Sequence, residues 1–185
     1  MRRGLVRDSS VMMSVARALN SLGVREARAA LTNCCASTAW VEGMLALRPF
    51  ADDDALLDAA EDVAETLEMD DWMEAFAAHP MIGDVESLRK KFAATKELAA
   101  GEQSGVVGAT ESTLQELAEL NREYLRRFGF IFIVFATGKS AEHMLAVLRT
   151  RIGNCREEEL RNAAEEQVRI TELRLQKLAE DAGDT

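Results

Sequence analysis

The sequence predicts an all-α fold: a single-domain, compact helical bundle of about eight to nine helices with one short extended apolar segment. Three observations predict it. There are only two prolines in 185 residues, Pro49 and Pro80, so little in the chain interrupts a helix. Ala, Leu, Glu and Arg, all strong helix formers, are abundant. Apolar residues recur at three- and four-residue spacing nearly throughout, the signature of one buried helical face.

Taken in order, the pattern predicts helices over Val11 to Leu22, Val24 to Asn33, Ala39 to Leu47, Asp53 to Leu67, and Asp70 to Ala78. Further helices follow over Ser87 to Lys96, Ser112 to Phe128, Ser140 to Ile152, and Arg156 to Ala182. The fifth must stop near His79, because Pro80 restricts the residue before it and lacks an amide proton. Ser140 has the character of an N-cap ahead of Glu142, and Gly153-Asn154 supplies a C-terminal stop. Phe128 to Thr137 is the exception. It is almost wholly apolar and rich in aromatic and β-branched residues, so it reads either as a buried strand-like link or as a helix buried on all sides. An extended segment without a ladder partner needs other acceptors, or a ligand, for its buried amides, which makes Phe132 to Ala136 a candidate for main-chain recognition of a small polar molecule. Residues 14–180 are expected to form the domain, with 1–13 an N-terminal extension and 181–185 a tail. Arg2, Arg3 and Arg7 leave the extension open to two readings, a targeting segment or a ragged helix start.

Thirty-two acidic against twenty-two basic residues give a formal charge of −10. Nucleic acid and anionic membrane both need a basic surface, so neither is expected as the main partner, and an anionic ligand needs its own local arginine. No run approaches the ~20 apolar residues that span a bilayer. Cys34, Cys35 and Cys155 lack metal-type spacing and are expected to be small buried thiols in a reducing compartment. With two histidines and no His-Glu-x-x-His or paired Glu-x-x-His pattern, no metal site is expected.

His79-Pro80-Met81-Ile82-Gly83-Asp84 places one of the two histidines at a helix end, on the face shared by Trp72 and Phe76. There it is either a core histidine bonded to a carbonyl or a group that carries protons near neutrality. On the last helix, Ala163, Ala164, Val168, Ile170, Leu175 and Leu178 share a stripe with Leu160, and Glu165 and Glu166 fall on the polar side. Arg174 violates the partition, with Gln167 and Thr171 nearby. It must meet a protein carboxylate or a ligand anion, or else snorkel to the surface. The turn Ala99-Ala100-Gly101-Glu102-Gln103 carries Glu102, either a buried acceptor or a solvated turn residue.

In order and spacing, these pieces resemble the 2-oxo-4-hydroxy-4-carboxy-5-ureidoimidazoline (OHCU) decarboxylase family, from about Leu19 to Leu178. The strongest parts are His79-Pro80-x-Ile82-Gly83-Asp84, Gly101-Glu102-Gln103, and Phe128-Gly129 through Gly138-Lys139-Ser140-Ala141-Glu142. Ile170-x-x-Leu173-Arg174-Leu175, Cys34-Cys35-Ala36-Ser37 and Arg48-Pro49-Phe50 add to them. The resemblance implies decarboxylation of OHCU to (S)-allantoin and CO2 in urate degradation, without a cofactor. It implies His79 as the acid/base, Glu102 as the partner of ureido or ring nitrogens, and Arg174 as the late arginine. Pro80, Ala99, Ala100, Gly101, Gln103 and the backbone of Phe132, Ile133, Val134, Phe135 and Ala136 match binding positions. Met81 stands where the family often has a basic residue and Ala99 where many members have serine. His143 matches no family role and is expected to be structural or exposed.

The family also implies a homodimer, with pathway association to 5-hydroxyisourate hydrolase and urate oxidase. Bacterial cytosol is the expected compartment, with a peroxisome the alternative in a eukaryote. The rival reading is a non-catalytic helical binding domain that keeps the fold.

Overall fold

A computed structural model of the chain describes residues 14–80, 85–90 and 111–182. The first thirteen residues, Met81 to Asp84, the turn from Ala99 to Gln103 and the last three residues lie outside them. Among the described residues the helices are α1 (Val15–Ser21), α2 (Val24–Cys34), α3 (Thr38–Ala46), α4 (Asp53–Glu65) and α5 (Met69–Ala77), then α6 at residues 85–90, α7 (Glu111–Phe128), α8 (Ala141–Arg151) and α9 (Arg156–Ala182). No described residue is in a strand, and no described helix is long and apolar enough to cross a membrane. The chain divides into two compact units: one reaches to Leu67 and resumes at Thr171, and the other is Glu68–Ile170.

In the first unit α2 packs on α3 and α3 on α4, with α1 touching both α2 and α4. The helix starts are set by side chains. Ser14 caps α1, and the Asp53 carboxylate accepts from Ser14 Oγ at 2.6 Å and from the Ala16 amide at 2.8 Å. The cap sets the start of α1 at Val15. Trp40 is buried and donates Nε1–H to the Ala60 carbonyl at 3.1 Å, joining α3 to α4. Gly43 lets these helices approach closely, since a Cβ there would lie 2.6 Å from Val63 Cγ1. Leu19, Leu31, Met44 and Leu56 complete the core, each contributing roughly 1.5–3 kcal/mol on burial.

In the second unit α7 packs against α8. Gly129 ends α7 in the left-handed region, φ 81°, with its amide bonded to Leu125 O at 2.9 Å. That conformation strains residues with a Cβ. From there to Ser140 the chain has no helix, so the all-round-helix reading of Phe128 to Thr137 is set aside and the strand-like link stands. From Phe128 to Thr137 only Phe128, Phe130 and Ile133 are buried. Ser140 caps α8 as expected, accepting from the His143 amide at 3.2 Å, and His143 is exposed. Cys34 and Cys35 are buried, but Cys155 is exposed, against expectation. It ends the connection before α9, and its carbonyl accepts the Glu159 amide at 3.0 Å.

Burial along α9 also departs from the predicted stripe. Its buried row is Glu159, Ala163, Gln167, Thr171 and Leu175, while Leu160, Val168 and Ile170 are half-buried. The row is an i+4 ridge, which winds around a helix by about 40° per step instead of holding one angular position. Three of its five members are polar, so hydropathy alone could not center on it.

Candidate active site

α5 ends where the sequence requires. Ala78 is its C-cap, and the His79 amide bonds to Phe76 O at 3.1 Å ahead of Pro80. Trp72 stacks on Phe76 with ring centroids 6.1 Å apart, and Phe76 meets Phe130 at 5.3 Å. The half-buried His79 ring is held through Nε2, 2.6 Å from Gln167 Oε1. It is paired there with a carboxamide from α9. One residue earlier, Glu166 accepts the Phe135 amide at 2.5 Å through Oε2, and its Oε1 accepts from Arg169 at 3.0 Å. Glu166 was expected on the polar face. Its side chain is only 16% exposed because the extended link offers it a donor. Adjacent residues of α9 thus gather two of the sequence-predicted elements, His79 and the link containing Phe132 to Ala136.

The link is fixed from its other side by a buried polar cluster. Arg151 donates to Ile133 O at 2.9 Å, sets its guanidinium 4.9 Å from the Phe132 ring centroid, and forms an ion pair with Glu159. Glu159 is fully buried and also accepts from Tyr124 Oη at 2.5 Å, Asn154 at 2.9 Å and Asn162 at 3.2 Å. Burial, reinforced by the bond to Glu159, holds the Tyr124 phenol well above its ordinary range, against the pull of Arg151. Sequence reasoning missed Tyr124, Arg151 and Glu159. The i+4 row through Glu159 and Gln167 was the signal that could have found the last of these.

Arg174, in the first unit, is half-buried and donates Nη1–H to Cys34 O at 3.1 Å and Asn33 O at 3.4 Å. Among the described residues its hydrogen-bond partners are therefore the last carbonyls of α2. A helix C-terminus presents unbonded carbonyls and a partial negative charge, and α2 has no basic residue in its own last turn. Burial pushes the neighbouring Cys34 thiol up to about 12, while Arg174's charge acts the other way. Glu102 and the other turn positions, Ala99, Ala100, Gly101 and Gln103, lie outside the described residues, as does Met81. Among the described residues no three His, Cys, Asp or Glu side chains are placed to hold a metal ion.

A model of the OHCU decarboxylase family matches residues 20–176. A uric acid degradation bifunctional protein of Arabidopsis thaliana is 40% identical over 151 residues, covering 80% of this chain and 46% of the relative. An OHCU decarboxylase of Haloferax volcanii is 29% identical over 137 residues, covering 74% of this chain and 79% of the relative. The chain thus spans less than half the length of the bifunctional relative. A crystal structure of an OHCU decarboxylase in the presence of (S)-allantoin superposes with a TM-score of 0.64 at 38% identity, over 81% of this chain and 96% of that one.

Proposed function

Because the chain belongs to the OHCU decarboxylase family, we propose that it converts OHCU to (S)-allantoin and CO2 in urate degradation. The observation that carries this reading is the match over residues 20–176, a span that retains an imidazole, a carboxylate and a guanidinium at His79, Glu102 and Arg174. A domain that had kept only the fold would be free to lose them.

The substrate's chemistry defines what the protein supplies. The bond to the leaving carboxylate breaks next to a C=N bond; its electron pair forms a C=C bond, and the C=N pair moves to nitrogen, which takes a proton. The hydroxyl then gives up its proton as the neighbouring carbon gains one on a single face. The substrate is its own electron sink, so placement and proton movement are the protein's share. In this proposal Arg174 orients the anionic edge, Glu102 accepts from ureido or ring N–H groups, and His79 exchanges the hydroxyl or ring proton. Pro80, the turn from Ala99 to Gln103 and the backbone from Phe132 to Ala136 complete the binding surface. A homodimer and association with 5-hydroxyisourate hydrolase and urate oxidase belong to the same proposal; bifunctional relatives named for uric acid degradation support the pathway association alone.

The test generates the unstable intermediate from urate with urate oxidase and the hydrolase, adds this protein, and follows circular dichroism. Prompt appearance of one allantoin enantiomer is expected, slowed by at least ~10²-fold in His79→Ala. A slow racemic course with the parent protein refutes the reading.

A further inference from the structure

Two consecutive peptide groups of the extended link are each held by a side chain, and the two side chains carry charges of opposite sign. Arg151 donates to the Ile133 carbonyl at 2.9 Å, and the Glu166 carboxylate accepts the Phe135 amide at 2.5 Å. The two peptides meet at Val134. Both are trans, so the Val134 N–H points away from the carbonyl that Arg151 holds, and the Val134 carbonyl points away from the amide that Glu166 holds. A hydrogen bond at one end of a peptide group polarises the other end, and a charged partner does so most strongly. Arg151 therefore makes the Val134 N–H a better donor, and Glu166 makes the Val134 carbonyl a better acceptor.

From Ile131 to Ala136 the chain has no helix, turn or bend. The Tyr124 ring meets those of Phe130 and Phe132, with centroids 5.8 Å and 5.3 Å away, as alternate residues of an extended segment share a face. In such backbone the N–H and C=O of one residue leave by the same edge. Val134 is half-buried, and neither its N–H nor its C=O has a hydrogen-bond partner among the described residues. We propose that Arg151 and Glu166 are positioning residues that set and polarise these two groups, so that Val134 takes a urea-type edge of the ligand, a C=O and an N–H on one carbon. Two parallel hydrogen bonds fix the plane of a ureido group, which a single bond would leave free to turn. The polarised pair is independent of the reaction. The choice of OHCU and (S)-allantoin as its ligands rests on the decarboxylase reading.

Ile-Val occurs once in the chain, and so does Val-Phe, so ¹³C-carbonyl labelling of the first residue with ¹⁵N labelling of the second isolates each peptide in the full chain. With saturating (S)-allantoin, the Val134 amide proton and the Val134 carbonyl carbon should both move downfield. Glu166→Gln keeps an acceptor oxygen for Phe135 and removes the charge. It should weaken (S)-allantoin binding about 3-fold and raise KM for the intermediate by a similar factor, with kcat little changed. Glu166→Leu, which removes the acceptor as well, should weaken binding about 10-fold. A merely structural role makes a different forecast for Glu166→Gln, full affinity, because the bond that holds the link survives. That result overturns the proposal, and so do Val134 signals that stay put while (S)-allantoin binds, or a parent protein that does not bind it. None of these outcomes needs Glu166→Leu to fold. If binding and shifts are as expected but the parent does not turn over the intermediate, the decarboxylase reading fails and the Val134 pair survives; turnover with unmoved Val134 signals does the reverse.

Discussion

Arg174 in the first unit and Arg151 in the second both turn from bulk water, and they meet different kinds of partner. Arg151 faces a fully buried carboxylate, and the pair is closed off by Tyr124 and the Ile133 carbonyl. Among the described residues, Arg174 donates to backbone carbonyls at the end of α2. Arg48 is bound in the same manner, donating to the carbonyls of Leu19, Asn20 and Leu22 at the end of α1. A helix terminus carries roughly half an elementary charge, so a cation held there keeps much of its own. Arg151 is neutralised by Glu159 and has nothing to offer an external anion. Arg174 is fixed in place yet still electrically positive, the condition a group needs if it is to orient an anionic substrate.

The comparison breaks most sharply on stability. Arg151→Met leaves Glu159 buried without its cation, and such a loss costs about 3–5 kcal/mol. Urea unfolding should register it, and should also show that adding Glu159→Leu recovers much of the loss, because the double variant strands no charge. A double variant less stable by the sum of both single losses would mean that the pair stabilises the fold outright. Arg174→Met strands only carbonyls that water can reach, so its cost should be about 0.3–1 kcal/mol. Its main effect should fall on turnover, with kcat/KM down at least ~10-fold because a charged hydrogen bond to an anion is lost. Equal damage to stability from both arginines would erase the distinction drawn between them.

How much of this was legible in advance follows the same division. Helix boundaries were legible because they are local: Pro80 after His79, Ser140 ahead of α8 and Gly153-Asn154 behind it act on their own neighbours. The polar positions that organise the second unit were not. Glu159 sits in an acidic first turn, and Glu166 follows another glutamate, so both look like solvated residues until a distant donor is supplied. Tyr124 is 35 residues from Glu159, and Phe135 is 31 from Glu166. Arg174 was found because a cation violated an apolar stripe, yet its contacts with the end of α2 were not foreseen, since a stripe records burial and is silent about which backbone ends lie opposite. His79 and Arg174 were identified as polar exceptions to local pattern, whereas their supports are long-range.

The thiols give a finer probe of the Arg174 end. Only the thiolate attacks a disulfide reagent, and a thiol at about 12 is ionised to only about 10⁻⁴ at pH 8. One equivalent, from the exposed Cys155, should therefore react promptly with an aromatic disulfide in the native chain, and two more, from the buried Cys34 and Cys35, only slowly, as the end of α2 opens locally or the chain unfolds. The linkage has a definite sign. Cys34's folded pKa lies above its ordinary value of 9.0, so its contribution to stability is intact below that pH and declines as pH rises toward 12. Replacing Cys34 with Ala should flatten the alkaline limb of the stability profile accordingly. If Arg174 pins the last turn of α2, Arg174→Met should let that turn open more often, and about 1 kcal/mol of local stability corresponds to a roughly 5-fold faster slow phase of thiol reaction. In Arg151→Met, with mild denaturant kept well short of global unfolding, that phase should stay at the parent rate, because the carbonyls it depends on still hold their cation.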